Sequence, residues 1–214
     1  MQLQKLAIFG AGGFGREVKM LIDHINANER KFECLGFFDD DTDLPKEING
    51  LPFLGGLDAL NQVSTPLGVV ISVGDPRLKM NLVQKIHNPY LSFPNLIHPT
   101  ALIGEQVQLG QGIILCAGVV VTVNIQIGNH VVLNLNSTIG HDCKLGDFSA
   151  LMPAVNVSGG VTIGEGVYLG TGVQINNNLN IGPFATIGSG AVVTKDIPGN
   201  CTAVGMPAKP IKFH

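Results

Sequence analysis

Residues 127–168 read IGNHVV LNLNST IGHDCK LGDFSA LMPAVN VSGGVT IGEGVY, seven blocks of six that each open on an aliphatic residue. The register runs in both directions without a slip, from Ile97 to Val193, making seventeen hexads. Gly follows the aliphatic residue in nine of them (104, 110, 128, 140, 146, 164, 170, 182, 188), and the fifth position is small or aliphatic from Ala101 to Ile197. Six-residue self-similarity is the mark of a parallel β-helix, whose coils cannot bury an apolar face alone and must stack on their neighbours. First- and fifth-position side chains are expected inside, with the second-position Gly supplying a corner conformation that a Cβ would forbid. Three hexads per triangular coil put residues 18 apart above one another. About six coils at roughly 4.8 Å then make a prism on the order of 27 Å tall. Periodicity does not fix its hand.

Working outward, the chain divides by charge. Residues 1–96 hold 9 basic and 11 acidic side chains, whereas 97–214 hold 4 and 5, so an ordinary α/β segment precedes the apolar, glycine-rich array. Two domains are expected, 1–96 and 97–214. A net charge of −3 gives no basic excess for a nucleic-acid backbone. The four Cys (34, 116, 143, 201) show no CxxC spacing, and reduced thiols in the cytoplasm are expected. The opening MQLQKLAIFG lacks the features of a secretory signal, and no apolar run reaches the length of a bilayer span.

Before the array, the apolar run Lys5 to Phe9 leads into Gly10-Ala11-Gly12-Gly13-Phe14-Gly15. Apolar residues then recur at Val18, Leu21, Ile22 and Ile25. This is a GxGxxG turn between a strand and a helix, where unpaired helix-terminal amides suit a phosphate. A tight βα turn that binds nothing has the same outline. The strand Cys34 to Phe38, however, ends in Asp39-Asp40-Asp41, placed to meet hydroxyl or base N–H groups of a nucleotide. With a third strand near 69–73 and a helix near 77–87, the segment has room for one mononucleotide-binding half of a Rossmann fold.

Within the array, Ile139-Gly140-His141-Asp142-Cys143-Lys144 carries the chemistry. His141 and Asp142 fall at outward corner positions, where a carboxylate can fix the imidazole tautomer and raise its basicity. A solvated corner histidine is the bland alternative. Cys143, at the fifth position, reads as a small core residue. Eighteen residues beyond His141 stands Gly159, whose main-chain N–H is placed to stabilise an oxyanion. His98, His130 and His141 occupy the second, fourth and third hexad positions, form no column, and predict no metal.

These features together (GAGGFG opening a half nucleotide-binding domain, hexads with Gly-His-Asp, and the closing Gly205-Met-Pro-Ala-Lys209) resemble the bacterial sialic-acid O-acetyltransferases and nucleotide-4-amino-sugar N-acetyltransferases. The resemblance spans the chain and implies a left-handed β-helix, a homotrimer, and acetyl-CoA lying in the groove between adjacent β-helices. It assigns His141 as base with Asp142 in support, and Gly159, Ala150, Gly170, Gly188, Pro207 and Lys209 to acetyl-CoA. Gly12, Gly13, Phe14, Asp39, Asp40 and Asn134 are assigned to the nucleotide sugar. Some relatives have His where this chain has Phe14 and Ala150. The implied reaction is N-acetylation of a nucleotide-linked 4-amino-deoxysugar in surface-glycan biosynthesis, with no bound cofactor or metal. Sialic-acid O-acetylation and a non-catalytic nucleotide-sugar scaffold are the alternatives.

Overall fold

The computed structural model describes residues 3–214. Its first part is a parallel sheet with helices. Strand β1 (Gln4–Phe9) leads through the glycine turn into helix α1 (Gly13–Asn28). Strand β2 (Phe32–Phe38), the short hairpin β3 (Glu47–Ile48) and β4 (Leu51–Pro52), and helix α2 (Leu57–Asn61) follow. Strand β5 (Leu67–Ile71), helix α3 (Pro76–Lys85) and strand β6 (Leu91–Ser92) complete it. The sheet order is β2-β1-β5-β6, with every pair parallel. The expected strands and helices are present. The hairpin, α2 and β6 are additions whose segments are too short to carry a periodic signal.

From Leu96 the chain winds into a triangular parallel β-helix of two-residue strands. The first face stacks 96–97, 114–115, 132–133, 150–151, 168–169 and 186–187. The second stacks 102–103 to 192–193, and the third 108–109 to 180–181. Each residue pairs with the one 18 further on, as Val121 does with Ile139 and Ile127 with Leu145. First- and fifth-position side chains form one buried column that includes Ile139, Cys143, Val157 and Val161. Each aliphatic side chain buried this way contributes about 1.5–3 kcal/mol. A terminal antiparallel pair, Cys201–Val204 with Lys209–Phe213, extends the first face.

The corner chemistry departs from the sequence expectation. Left-handed backbone recurs every six residues from Gln106 to Gly190, always at the fourth position, and only six of those fifteen residues are Gly. The nine second-position glycines have ordinary φ; what constrains them is the coil above. A Cβ on Gly140 would lie 2.6 Å from the Gly159 nitrogen, and one on Gly146 2.5 Å from that of Glu165. The glycines therefore permit close stacking, while the turn is made two residues later.

The two parts share a core. Outward residues of the first face, Leu96, Ile114, Val132 and Ala150, cluster with Leu21, Ile22 and Ile25 of α1. Helix α3 reaches the edge between the third and first faces. Its Lys79, 1% exposed, donates from Nζ to the His130 carbonyl at 3.0 Å. Arg77 lies 4.7 Å over the Phe184 ring. Along that edge His130 stacks on Phe148, with 5.1 Å between centroids.

Candidate active site

The corner between the second and third faces presents His141 and Asp142 to solvent, with side chains 66% and 59% exposed. His141 Nδ1 lies 2.8 Å from Asp142 Oδ2. Asn124, one coil below in the same column, donates from Nδ2 to Asp142 Oδ1 at 3.2 Å. The hydrogen bonds from His141 and then Asn124 hold the Asp142 carboxyl below its ordinary range. An ionised carboxylate at Oδ2 requires Nδ1 to carry the proton, which leaves Nε2 as the free acceptor. Asp142 takes its left-handed φ of 59° at a fourth position, so the coil geometry itself turns the carboxylate back toward its neighbour. Asn124 was not singled out from the sequence; adding 18 to each corner residue would have found it.

The imidazole rests on the next coil. A Cβ on Gly159 would sit 2.5 Å from both Cε1 and Nε2 of His141, so only glycine admits the ring there. Among the described residues no acceptor takes the Gly159 N–H. Gly140 below it offers no side chain to cover that amide. A basic nitrogen and an uncovered N–H thus lie side by side on a rigid edge, the pairing that acyl transfer needs. Cys143 points inward and is fully buried, and burial pushes its thiol up, so it has no thiolate to offer.

The glycine turn is organised for a different task. Gly10 takes φ +107°, and a Cβ on Gly15 would fall 1.9 Å from the Gly10 carbonyl oxygen, so helix and turn pack too tightly for any other residue. Gly12 and Gly13 are exposed, and a Cβ at either would meet nothing within 4 Å, so the start of α1 is uncrowded. Asp39 Oδ2 accepts the Ala11 N–H at 2.7 Å, and Asp40 Oδ1 accepts that of Leu57 at 2.8 Å. The first two aspartates therefore brace the turn and start α2, beside a crevice of about 260 Å³ lined by Gly10, Asp39, Asp40 and Leu82. Phe14 packs against the core between α1 and the first face.

The other candidates fall elsewhere. Asn134, 6% exposed, lies on the edge between the first and second faces, its Oδ1 turned to the Leu135 N–H at 2.7 Å. Gly170 and Gly188 continue that column two and three coils above Asn134, and a Cβ on Gly188 would meet Val204 of the terminal pair. Pro207 and Lys209 are exposed in that closing segment. Ala150 has no exposed surface. It is packed under the α/β part, so a coenzyme arm cannot touch it in this arrangement, and the expectation placed on it is withdrawn. His98, His130 and His141 stand on three different edges. Among the described residues no three His, Cys, Asp or Glu side chains converge to hold a metal, and no helix is long and apolar enough to cross a membrane. His98, read as weak from the sequence, is buried with Nε2 3.0 Å from His24 Nδ1.

An outward imidazole over a bare glycine amide on a hexapeptide β-helix defines an acyltransferase. Comparison with known proteins narrows the class. Residues 5–86 match the family model of the PglD N-terminal domain. The acetyltransferase domain of PglB from Neisseria gonorrhoeae FA1090 is 32% identical and superposes with a TM-score of 0.88, over 97% of this chain and 100% of that one. PerB from Caulobacter crescentus, solved with CoA and GDP-perosamine, is 31% identical with a TM-score of 0.86 over 99% of each chain. The GDP-perosamine N-acetyltransferase of Escherichia coli O157:H7 is 29% identical over 198 residues, 92% of this chain and 81% of that protein. The chain belongs to the family of nucleotide-amino-sugar N-acetyltransferases, and its β-helix is the left-handed one of that family.

Proposed function

We propose that the protein transfers acetyl from acetyl-CoA to the 4-amino group of a nucleotide-linked amino-deoxysugar, with His141 as general base. The observation that carries this reading is the His141 ring seated on Gly159 beside an uncovered N–H. The amine nitrogen attacks the thioester carbon as His141 Nε2 accepts its proton. The Gly159 N–H stabilises the resulting oxyanion, and the thiolate of CoA leaves, taking a proton from the imidazolium. Asp142 keeps Nδ1 protonated throughout. No covalent enzyme intermediate is needed.

The α/β part covers the first face, and the edge carrying His141 is the one opposite that face. A nucleotide sugar held at Gly12, Gly13, Asp39 and Asp40, with its sugar toward Asn134, therefore meets the His141 edge of a neighbouring copy. That supports a homotrimer with three inter-subunit sites, acetyl-CoA running past Gly159 of one copy and Gly170, Gly188, Pro207 and Lys209 of another. The two-domain division at residue 97, a cytoplasmic location and a role in surface-polysaccharide synthesis belong to the same reading.

The test is thiol release from acetyl-CoA against GDP-, UDP- and dTDP-linked 4-amino sugars, starting with GDP-perosamine because one relative is named for it and another was solved in complex with it. Free and CMP-linked sialic acids run alongside. Turnover with one amino sugar, reduced about 10²- to 10⁴-fold in His141→Asn with nucleotide-sugar binding retained, is the expected outcome. Turnover with sialic acids alone would make the enzyme an O-acetyltransferase. Binding without turnover of any acceptor would leave a scaffold.

A further inference from the structure

Beneath the site lies a buried group that the acyl-transfer scheme does not use. Cys143 occupies the fifth hexad position on the His141 edge, where every other coil has an aliphatic residue: Val107, Ile125, Val161, Leu179 and Ile197. Its Sγ is 3.2 Å from the Ser158 carbonyl oxygen and 3.7 Å from that of His141. The His141 carbonyl already accepts the Gly160 N–H at 2.8 Å. The Ser158 carbonyl receives no backbone N–H among the described residues. On the other two edges several second-position carbonyls close a turn, as Gly146 does with Ser149 and Cys116 with Val119. On the His141 edge no coil makes that turn bond among the described residues, and at Ser158 alone a thiol donates to the open carbonyl. Burial keeps the thiol protonated, so it is a donor.

The Ser158 carbonyl and the Gly159 N–H belong to one peptide unit, and among the described residues the only cis bond is Met206-Pro207. In a trans peptide C=O and N–H point in opposite directions. A carbonyl drawn inward by Cys143 aims the Gly159 N–H outward, to the side where the imidazole lies. A hydrogen bond to the oxygen also polarises the amide and strengthens its N–H as a donor. Elsewhere the same reach across 15 residues is made by Asn95 Nδ2 to the Gly110 carbonyl at 2.8 Å, where the following N–H, of Gln111, is taken by Asn129 Oδ1, and by Ser137 Oγ to the Met152 carbonyl at 3.2 Å. The peptide gripped there continues into Pro153, which has no N–H. Only at Cys143 does the grip orient a free amide beside a histidine.

We infer that Cys143 is a positioning residue for acetyl transfer: its thiol, donating to the Ser158 carbonyl, fixes and polarises the peptide whose N–H receives the developing oxyanion. This rests on the roles proposed for His141 and Gly159. The test is steady-state kinetics of intact Cys143→Val, Cys143→Ser and His141→Ala. Val is what the column holds at 107 and 161, so it fits without donating. Cys143→Val should lower kcat about five- to tenfold with KM for both substrates held within about twofold, and Cys143→Ser should recover most of the loss. The amide ¹⁵N resonance of Gly159 should move in the Val variant and return toward wild type in the Ser variant. Wild-type kcat in Cys143→Val, or equal losses in Val and Ser, overturns the inference. If His141→Ala is inactive in that case, the proposed function stands without it. Full turnover in His141→Ala would instead remove the reading on which the inference depends.

Discussion

Lys79 should make the protein more stable as the solution becomes more alkaline, and replacing it should abolish that trend. The side chain is 1% exposed, and its single hydrogen-bond acceptor is the His130 carbonyl. Burial pushes its pKa from 10.5 down to about 7, opposed by the nearby Asp75 carboxylate. Between pH 7 and 10.5 the unfolded chain carries this proton and the native chain does not, so stability rises with pH across that window. Above 10.5 neither state is protonated and the penalty vanishes; below 7 both are protonated and it is complete. The displacement from 10.5 to about 7 corresponds to about 5 kcal/mol in full. Lys79→Met removes that penalty but orphans the His130 carbonyl, at a cost of about 1–3 kcal/mol. The variant should therefore be the more stable protein at pH 7 and the less stable one above pH 10, the two curves crossing near ~9. Urea midpoints of both proteins from pH 6.5 to 10.5, at one fixed protein concentration, measure the difference and cancel groups common to both. Parallel wild-type and Lys79→Met profiles would refute the reasoning.

On the acid side, His130 has the same sign. Burial first, and then the Lys79 charge, push its pKa from 6.5 to about 4, with Asp147 opposing. The unfolded chain thus takes up the proton first, and stability should fall from pH 6.5 to 4 and level off below. His130→Phe, which keeps a ring in a column where Phe148 and Phe184 share the same left-handed backbone, should flatten that limb in a pH series of urea melts. Gly140→Ala and Gly146→Ala each force a Cβ into the coil above, and each should cost about 1–3 kcal/mol by denaturation. Only the first crowds the Gly159 nitrogen, so only Gly140→Ala should also reduce kcat when both are assayed well below their melting points. Asp39→Ala removes the acceptor of the Ala11 N–H and should raise KM for the nucleotide sugar at least tenfold with kcat nearly unchanged, a split visible in initial rates.

The β-helix was legible because each hexad repeats one environment: the inward side chains of Ile139, Val157 and Ile175 answer to the same core, and 18-residue arithmetic places Gly159 over His141. What the repeat hides is which residue bends the chain. Left-handed φ at Gln106, Phe148 and Ala154 has no compositional signal, because stacking on both neighbouring coils fixes the backbone against local preference. Packing between the two parts was equally silent. Helix α3 buries Lys79 and leaves Leu78 63% exposed, the reverse of what hydropathy suggests, because the face it presents to the His130 edge is set by the docking of the whole α/β unit. Ala150 failed as a coenzyme contact for the same reason: its outward position is covered by the chain's own N-terminal part.

The coil geometry also explains why the chemistry sits where it does. Inward positions are closed by the core, and the outward strand positions of the first face are spent on the α/β unit, so polar side chains project from the corners and from the outward strand positions of the other two faces, as Gln126 and Lys144 do. A corner supplies a side chain and, one coil higher, an amide at a spacing set by strand pairing, so His141 and the Gly159 N–H are held in fixed relation by the ladder between 139 and 157. Moving the histidine by one residue, to the left-handed fourth position, would turn its ring toward the neighbouring corner residue as Asp142 now turns, and away from that amide. The proposed pairing of base and oxyanion donor therefore depends on the third hexad position and on the glycine eighteen residues further on, whose lack of a Cβ leaves room for the ring.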